Sequence, residues 1–90
     1  MKKTIISVIG KDAVGITAKV SATCGEHNVN IVDITQSVLQ GMFVMVMLTD
    51  ISAIDCPFKD FSDSMCKLGK ESNLEIRVMH EDIFNSMHRI

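Results

Sequence analysis

The chain has 90 residues, 47% of them hydrophobic and 22% charged, and its formal net charge is −2. This length suits a single domain, and the hydrophobic content is too high for a disordered chain. The small negative charge disfavours nucleic acid as a partner, because binding to phosphates needs clustered basic residues. Three cysteines without a CxxC pair favour reduced thiols in the cytoplasm, and no apolar run approaches the ~20 residues of a membrane span.

The first part of the chain predicts a strand, a turn and a helix. Residues 3–9 are mostly β-branched and predict a strand, which is followed by a turn bounded by Gly10 and Gly15. Asp12 or Ala13 is predicted to lie near the start of a helix over residues 14–27, where a carboxylate can cap free backbone N–H groups. One face of this helix carries Ile16, Val20, Cys24 and His27.

The middle of the chain predicts a hairpin and a second helix. Residues 29–39 and 42–49 read as strands joined by a tight turn at Gln40 and Gly41. Pro57 suits the first turn of the helix that follows. Its apolar stripe consists of Phe58, Phe61, Met65, Leu68 and Ser72.

The last part of the chain completes a βαββαβ order. Residues 74–81 alternate between apolar and polar and predict a strand, and the spacing over residues 82–90 predicts a short C-terminal helix. Two right-handed crossovers then give a ferredoxin-like α+β domain over residues 1–90, a four-stranded antiparallel sheet with both helices on one face. The first and third strands are the most apolar, which predicts that they are central.

The third strand is apolar on both of its faces. Met42, Val44, Val46 and Leu48 alternate with Phe43, Met45 and Met47. Two helices cover only one face of a sheet, and soluble proteins rarely leave a large apolar patch open. Either a second copy of the chain or the C-terminal helix is therefore expected to cover the second face.

Several chemistries are disfavoured by the residues around the first turn. The spacing from Gly10 to Gly15 resembles a phosphate loop, but Ile16 and Thr17 stand where lysine and a hydroxyl residue are required. An RNA-binding sheet needs stacking aromatics, and Phe43 is the only aromatic residue of the two central strands. The only arginines, Arg77 and Arg89, lie far from the turn that would hold phosphate in an acylphosphatase.

The histidines and cysteines predict neither a metal site nor a nucleophile. His27, His80 and His88 are not placed at a ligand spacing such as i, i+4. The cysteines Cys24, Cys56 and Cys66 have no histidine or cation adjacent in sequence that would activate a thiolate. We therefore expect no catalytic residue, no metal and no cofactor.

The first turn and the start of the second strand carry the best candidate site. A helix N-terminus offers free N–H groups to a carboxylate, and Asp12 offers its own carboxylate to an ammonium group, which suits a small zwitterion. Gly15 would permit close approach of the backbone, and Asn30 opens the second strand. In the alternative interpretation, Asp12 caps the helix, Gly15 forms the turn and Asn30 caps the strand.

These segments resemble the ACT domain, a module that senses small molecules in amino-acid metabolism. The run Gly-Lys-Asp-Ala-Val-Gly-Ile over residues 10–16 is similar to the family pattern Gly-x-Asp-x-Pro-Gly-Ile, with Val14 in place of proline. Residues 28–31, Asn-Val-Asn-Ile, are similar to the following Gly-x-Asn-Ile, with Asn28 in place of glycine. The resemblance covers essentially the whole chain and looks closest to stand-alone ACT proteins like the glycine-cleavage regulator.

The resemblance implies a non-enzymatic homodimer that binds an amino acid or similar metabolite between its subunits. Its output would then pass to a separate partner protein. From the charge and hydropathy given above, we expect neither nucleic acid nor a membrane as a partner. The alternative is a protein-interaction module whose ligand site is degenerate. The positions that carry over as ligand-binding residues are Asp12, Ala13, Val14, Gly15, Ile16, Asn30 and Ile31.

Overall fold

A computed structural model describes residues 2–11 and 15–82 of the chain. The element order is βαββαβ, as predicted from the sequence. The strands are β1 (Lys3–Gly10), β2 (Asn30–Leu39), β3 (Met42–Asp50) and β4 (Glu75–His80), and the helices are α1 (Ile16–Glu26) and α2 (Phe58–Glu71). Most of the predicted boundaries differ from these by one or two residues. The predicted C-terminal helix lies, except for Asp82, outside the described residues.

The four strands form one antiparallel sheet in the order β2-β3-β1-β4. The two most apolar strands, β1 and β3, are central, which confirms the prediction. The β1–β3 register pairs Lys3 with Asp50 at one end of the sheet and Gly10 with Phe43 at the other. This ferredoxin-like arrangement places the turn after β1 at the end of the sheet where β3 and β4 begin.

The β2–β3 hairpin turns at the two residues predicted for it. Gln40 and Gly41 have φ values of 52° and 78°. Two consecutive positive φ values define the turn that matches the right-handed twist of paired strands. Local turn chemistry therefore sets the β2–β3 register as far as Asp33, beyond which an irregularity shifts the pairing of Ile31 and Asn30 by one residue.

The core lies between the two helices and one face of the sheet. The predicted helical stripes face this layer: Ile16, Val20 and Cys24 of α1 are buried, as are Phe61 and Met65 of α2. His27 is not in the core but caps the C-terminus of α1. The central strands contribute the fully buried side chains of Ile6, Val8, Met45 and Met47.

The second face of the sheet carries the other half of the apolar residues of β3. Met42, Val44, Val46 and Leu48 are half-buried there, and their neighbour Ile9 on β1 is 39% exposed. Both faces of β3 are therefore apolar in the folded chain. In the described part of the chain, no helix is long and apolar enough to cross a membrane.

Candidate functional site

The turn between β1 and α1 is stabilised by a glycine in the left-handed conformation. Gly15 occupies the N-cap position of α1 with φ 75°, a value that favours glycine. The helix therefore begins two residues later than predicted, and Gly15, not Asp12 or Ala13, is its N-cap. Three predicted site residues, Asp12, Ala13 and Val14, lie outside the described residues.

The close packing around this turn occurs at Gly10, not at Gly15. A Cβ added to Gly10 would lie 1.7 Å from Cδ2 of Leu74, so the side chain of Leu74 fills the space that a side chain at residue 10 would need. A Cβ added to Gly15 would meet no described atom within 4 Å. No described residue therefore fills the space beside Gly15.

The side chain of Ile16 is part of the core, whereas its backbone N–H group lies in the first turn of α1 and has no intrahelical acceptor. Its side chain is 1% exposed and belongs to the core. The backbone N–H of Lys19 donates to the carbonyl of Gly15 at 3.2 Å and forms the first helical hydrogen bond. The N–H groups of the three residues before Lys19 have no intrahelical acceptor, as at any helix start, and they give this end of α1 a positive potential.

A cleft of about 610 Å³ opens beside the turn. It lies where β1 ends, α1 begins, α2 ends and β4 begins. Side chains of both signs line it, since Lys11 and Lys19 are cationic and Glu75 is anionic. The lining residues are Ile9, Gly10, Lys11, Ile16, Lys19, Met42, Ser72, Asn73, Leu74 and Glu75.

Asn30 and Ile31 do not lie near this cleft within one chain. Asn30 pairs with Asp50, which pairs in turn with Lys3, so the start of β2 lies at the end of the sheet remote from Gly10. Eight residues of β1 separate the two ends, roughly 23 Å at the rise of a strand. The structure thus brings Gly15 and Ile16 together but leaves Asn30 and Ile31 at the opposite end.

Of the ten described residues that line the cleft, only Ile16 was predicted from the sequence to bind a ligand. Lys19 lies one turn beyond Ile16, so helical spacing alone places it near the turn. Ser72, Asn73 and Glu75 are more than 50 residues away along the chain, and only the packing of α2 and β4 brings them to the turn. No local sequence signal points to them.

One cysteine does have a histidine neighbour in space. Cys56 Sγ lies 3.6 Å from Nδ1 of His27. The pKa of this thiol is raised, first by burial and then by the nearby carboxylates of Asp55 and Asp60. A nucleophilic cysteine needs a lowered pKa, so this pair does not have the properties of a catalytic dyad.

Among the described residues, the other histidine and the other cysteines do not join this pair. His80 stacks on Phe58 with a centroid separation of 4.4 Å, and His88 lies outside the described residues. Cys24 is buried in the core, and burial raises its pKa to about 11. Cys66 is an exposed residue of α2.

Comparison with known proteins identifies the family. The sequence matches the ACT domain family over residues 2–79. It is 41% identical over 90 residues to a UPF0237 protein from Methanopyrus kandleri, and the match covers all of both chains.

Solved structures give the same result. An ACT domain protein from Streptococcus pneumoniae superposes with a TM-score of 0.80 at 35% identity, covering 92% of this chain and 93% of that one. A putative glycine cleavage system transcriptional repressor shares the fold, with a TM-score of 0.72 at 20% identity, over 88% of this chain and 45% of that one. The chain described here belongs to the ACT domain family.

Proposed function

We propose that this protein is a regulatory module that binds a small amino acid and performs no catalysis of its own. The observation that carries the proposal is the cleft beside the Gly15 turn, where a helix N-terminus and side chains of both charges meet. Its volume of about 610 Å³ falls within the range of small-molecule sites, about 300–1,000 Å³. Membership of the ACT family supports the regulatory role.

The charges of the cleft suit a zwitterion. The carboxylate of an amino acid would accept hydrogen bonds from the first N–H groups of α1, with Lys11 and Lys19 nearby. Its ammonium group would meet the carboxylate of Asp12 or Glu75. Glu75 Oε1 already accepts hydrogen bonds from Nε and Nη2 of Arg77 at 3.0 and 2.6 Å, and the other oxygen of this carboxylate would accept from the ligand.

The predicted site needs two chains to be complete. Asn30 and Ile31 lie roughly 23 Å from the turn of their own chain by the length of β1. β2 is an edge strand of ten residues, and no strand of the described residues pairs with its outer side. Antiparallel pairing of β2 with β2 of a second copy would bring Asn30 of one chain to the end of the sheet that carries the other chain's turn.

Exposed apolar side chains support such a contact. Val38 and Leu39, at the end of β2, are 72% and 68% exposed. A long edge strand with exposed apolar residues readily pairs with another strand. We therefore propose a homodimer joined at β2, with Asp12, Ala13, Val14, Gly15 and Ile16 from one chain and Asn30 and Ile31 from the other around the amino acid. The regulatory output would pass to a partner protein.

The proposal is tested by melting the purified chain with each of the twenty amino acids. A ligand at ten times its Kd that binds only the folded state adds about 1.4 kcal/mol of stability. For a domain of this size, that raises Tm by several degrees. We expect one amino acid or a small chemical group of them to produce this shift, and Asp12→Ala to abolish it without dissociating the dimer.

A charge-matched pair of variants locates the site. Lys19→Gln removes a cation from the cleft, and we expect it to weaken binding about tenfold, the effect of losing one charged hydrogen bond. Lys67→Gln removes a cation from the exposed face of α2 and should leave binding unchanged. If no amino acid moves Tm, the sensing function is wrong and the protein-interaction alternative takes its place.

A further inference from the structure

Three side chains of types that bind metal ions lie close together at the C-terminal end of α1, remote from the Gly15 turn. They are His27, which caps the C-terminus of α1, and Asp55 and Cys56 in the loop before α2. Their ligand atoms all lie within 4.8 Å of one another. Nδ1 of His27 is 3.3 Å from Oδ1 of Asp55 and 3.6 Å from Sγ of Cys56.

We propose that His27, Asp55 and Cys56 form a binding site for a zinc-type divalent metal ion, with water as the fourth ligand. The donor set of one imidazole, one thiolate and one carboxylate contains only groups that zinc accepts. A thiolate ligand selects zinc-type metals over magnesium and calcium, which prefer oxygen. This site departs from the expectation that the protein holds no metal.

The two distances from Nδ1 of His27 to the other ligand atoms already fit a tetrahedral ion, and the carboxylate and thiol lie within 4.8 Å of each other. Zinc lies about 2.0 Å from nitrogen or oxygen ligands and about 2.3 Å from sulfur. At the tetrahedral angle, these bond lengths separate nitrogen from oxygen by about 3.3 Å and nitrogen from sulfur by about 3.5 Å. The observed separations are 3.3 and 3.6 Å. Nδ1 therefore needs almost no movement relative to the other two ligand atoms.

The surrounding contacts hold the ligands in place. The backbone N–H of Asp55 donates to the carbonyl of His27 at 3.2 Å, which ties the loop to the helix end. The rings of His27 and Phe61 pack in a T-shaped arrangement, with centroids 5.8 Å apart and an interplanar angle of 81°. Phe61 is fully buried in α2, so the imidazole rests on a fixed surface. A preorganised ligand set of this kind binds metal with little ordering cost.

The proposed metal site is independent of the amino-acid cleft. The eleven residues of α1 separate them by roughly 16 Å along the helix axis. A bound ion would join the end of α1 to the start of α2 and would stabilise the folded chain, because the unfolded chain lacks the preformed site. The site could therefore exist whether or not the protein senses an amino acid.

The test is titration of the full chain, purified with chelator and reductant, with Zn²⁺ by calorimetry and with Co²⁺ by absorption. We expect one high-affinity ion per chain, a thiolate-to-cobalt charge-transfer band and a rise in Tm with Zn²⁺. Changing even an outer-shell partner typically costs 10–100-fold in affinity, so Cys56→Ser and His27→Gln should each cost at least about 100-fold. Cys56→Ser should also lose the charge-transfer band.

Two matched variants control for metal bound elsewhere. Cys66→Ser and His80→Gln change an exposed thiol and an exposed imidazole outside the cluster, and both should bind like the parent. Circular dichroism of the metal-free variants checks that each one folds. The proposal is overturned if the parent binds no Zn²⁺ tightly, or if Cys56→Ser binds it as tightly as Cys66→Ser does. In either case the three side chains form a hydrogen-bonded cluster only.

Discussion

Cys24 is a single residue whose ionisation is set by its place in the core. Its side chain is 1% exposed, on the face of α1 that packs against the sheet. Burial disfavours the thiolate and raises the pKa from 9.0 to about 11. The thiol is therefore neutral and unreactive at physiological pH.

This shift predicts an alkaline loss of stability. The pKa of the Cys24 thiol is higher in the folded chain than in the unfolded chain. The contribution of this thiol to the free energy of unfolding is therefore fully present below pH 9 and is lost as the pH rises towards 11. Cys24→Ala should lower the free energy of unfolding by about 1 kcal/mol near neutral pH. The difference between this variant and the parent should shrink between pH 9 and 11, because only the parent loses stability there. Urea unfolding at a series of pH values measures the difference.

The control for this prediction is Val20→Ala. It removes buried volume from the same face of α1 but no titrating group, so its cost should not change over this pH range. A constant difference between the parent and Cys24→Ala across pH 8 to 11 would contradict the assignment of the alkaline loss to this thiol.

At the level of elements, a buried glycine sets the contact between α2 and β4. A Cβ at Gly69 would lie 2.8 Å from the carbonyl oxygen of Leu74 and 3.1 Å from Cγ1 of Ile76. The first of these atoms belongs to the backbone and has little freedom to move. The helix can pack this closely only because residue 69 has no side chain.

Gly69→Ala is therefore expected to destabilise the fold despite the higher helix propensity of alanine. Overpacking costs about 1–3 kcal/mol, which exceeds the gain of about 1 kcal/mol from propensity. The matched control is Gly25→Ala in α1, where the added Cβ meets no described atom within 4 Å. That variant should gain up to about 1 kcal/mol. Free energies of unfolding in urea distinguish the two, and equal effects would refute the packing argument.

At the level of the whole molecule, the proposed dimer depends on the free edge of β2. Thr35 lies near the middle of this strand and is exposed. In an antiparallel β2–β2 pair, residues near the strand centre from the two copies lie close to the twofold axis. A charge placed at residue 35 therefore lies close to the same charge on the second chain.

Thr35→Lys should weaken this dimer. Two like charges in close contact at an interface cost several kcal/mol, and we expect the dimer Kd to rise at least about tenfold. Glu75→Gln makes the same net charge change on the opposite edge strand and should leave the dimer intact. Sedimentation equilibrium measures both. A Thr35→Lys protein that dimerises like the parent would exclude the β2 edge and favour the apolar face of β3 as the interface.

Sequence patterns alone were enough to predict the order of the elements, the two central strands, the β2–β3 hairpin and most of the core residues of both helices. Each of these depends on local patterns, such as apolar periodicity or a turn that requires positive φ at Gln40 and Gly41. The position of Asn30, at the end of the sheet opposite the turn, could also have been predicted from the order of the elements. β1 and β2 run in the same direction, so their first residues share the end of the sheet opposite the Gly15 turn.

The contacts between residues far apart in the chain follow from the packing of the elements in three dimensions. Glu75 reaches the cleft beside Gly15, and Asp55 and Cys56 reach His27 from 28 and 29 residues away. Sequence spacing on one element could not reveal these contacts, because they arise where different elements end and pack together. The Gly15 turn was visible in the sequence as half of a predicted site. The packing of α2 and β4 against it supplies the cleft.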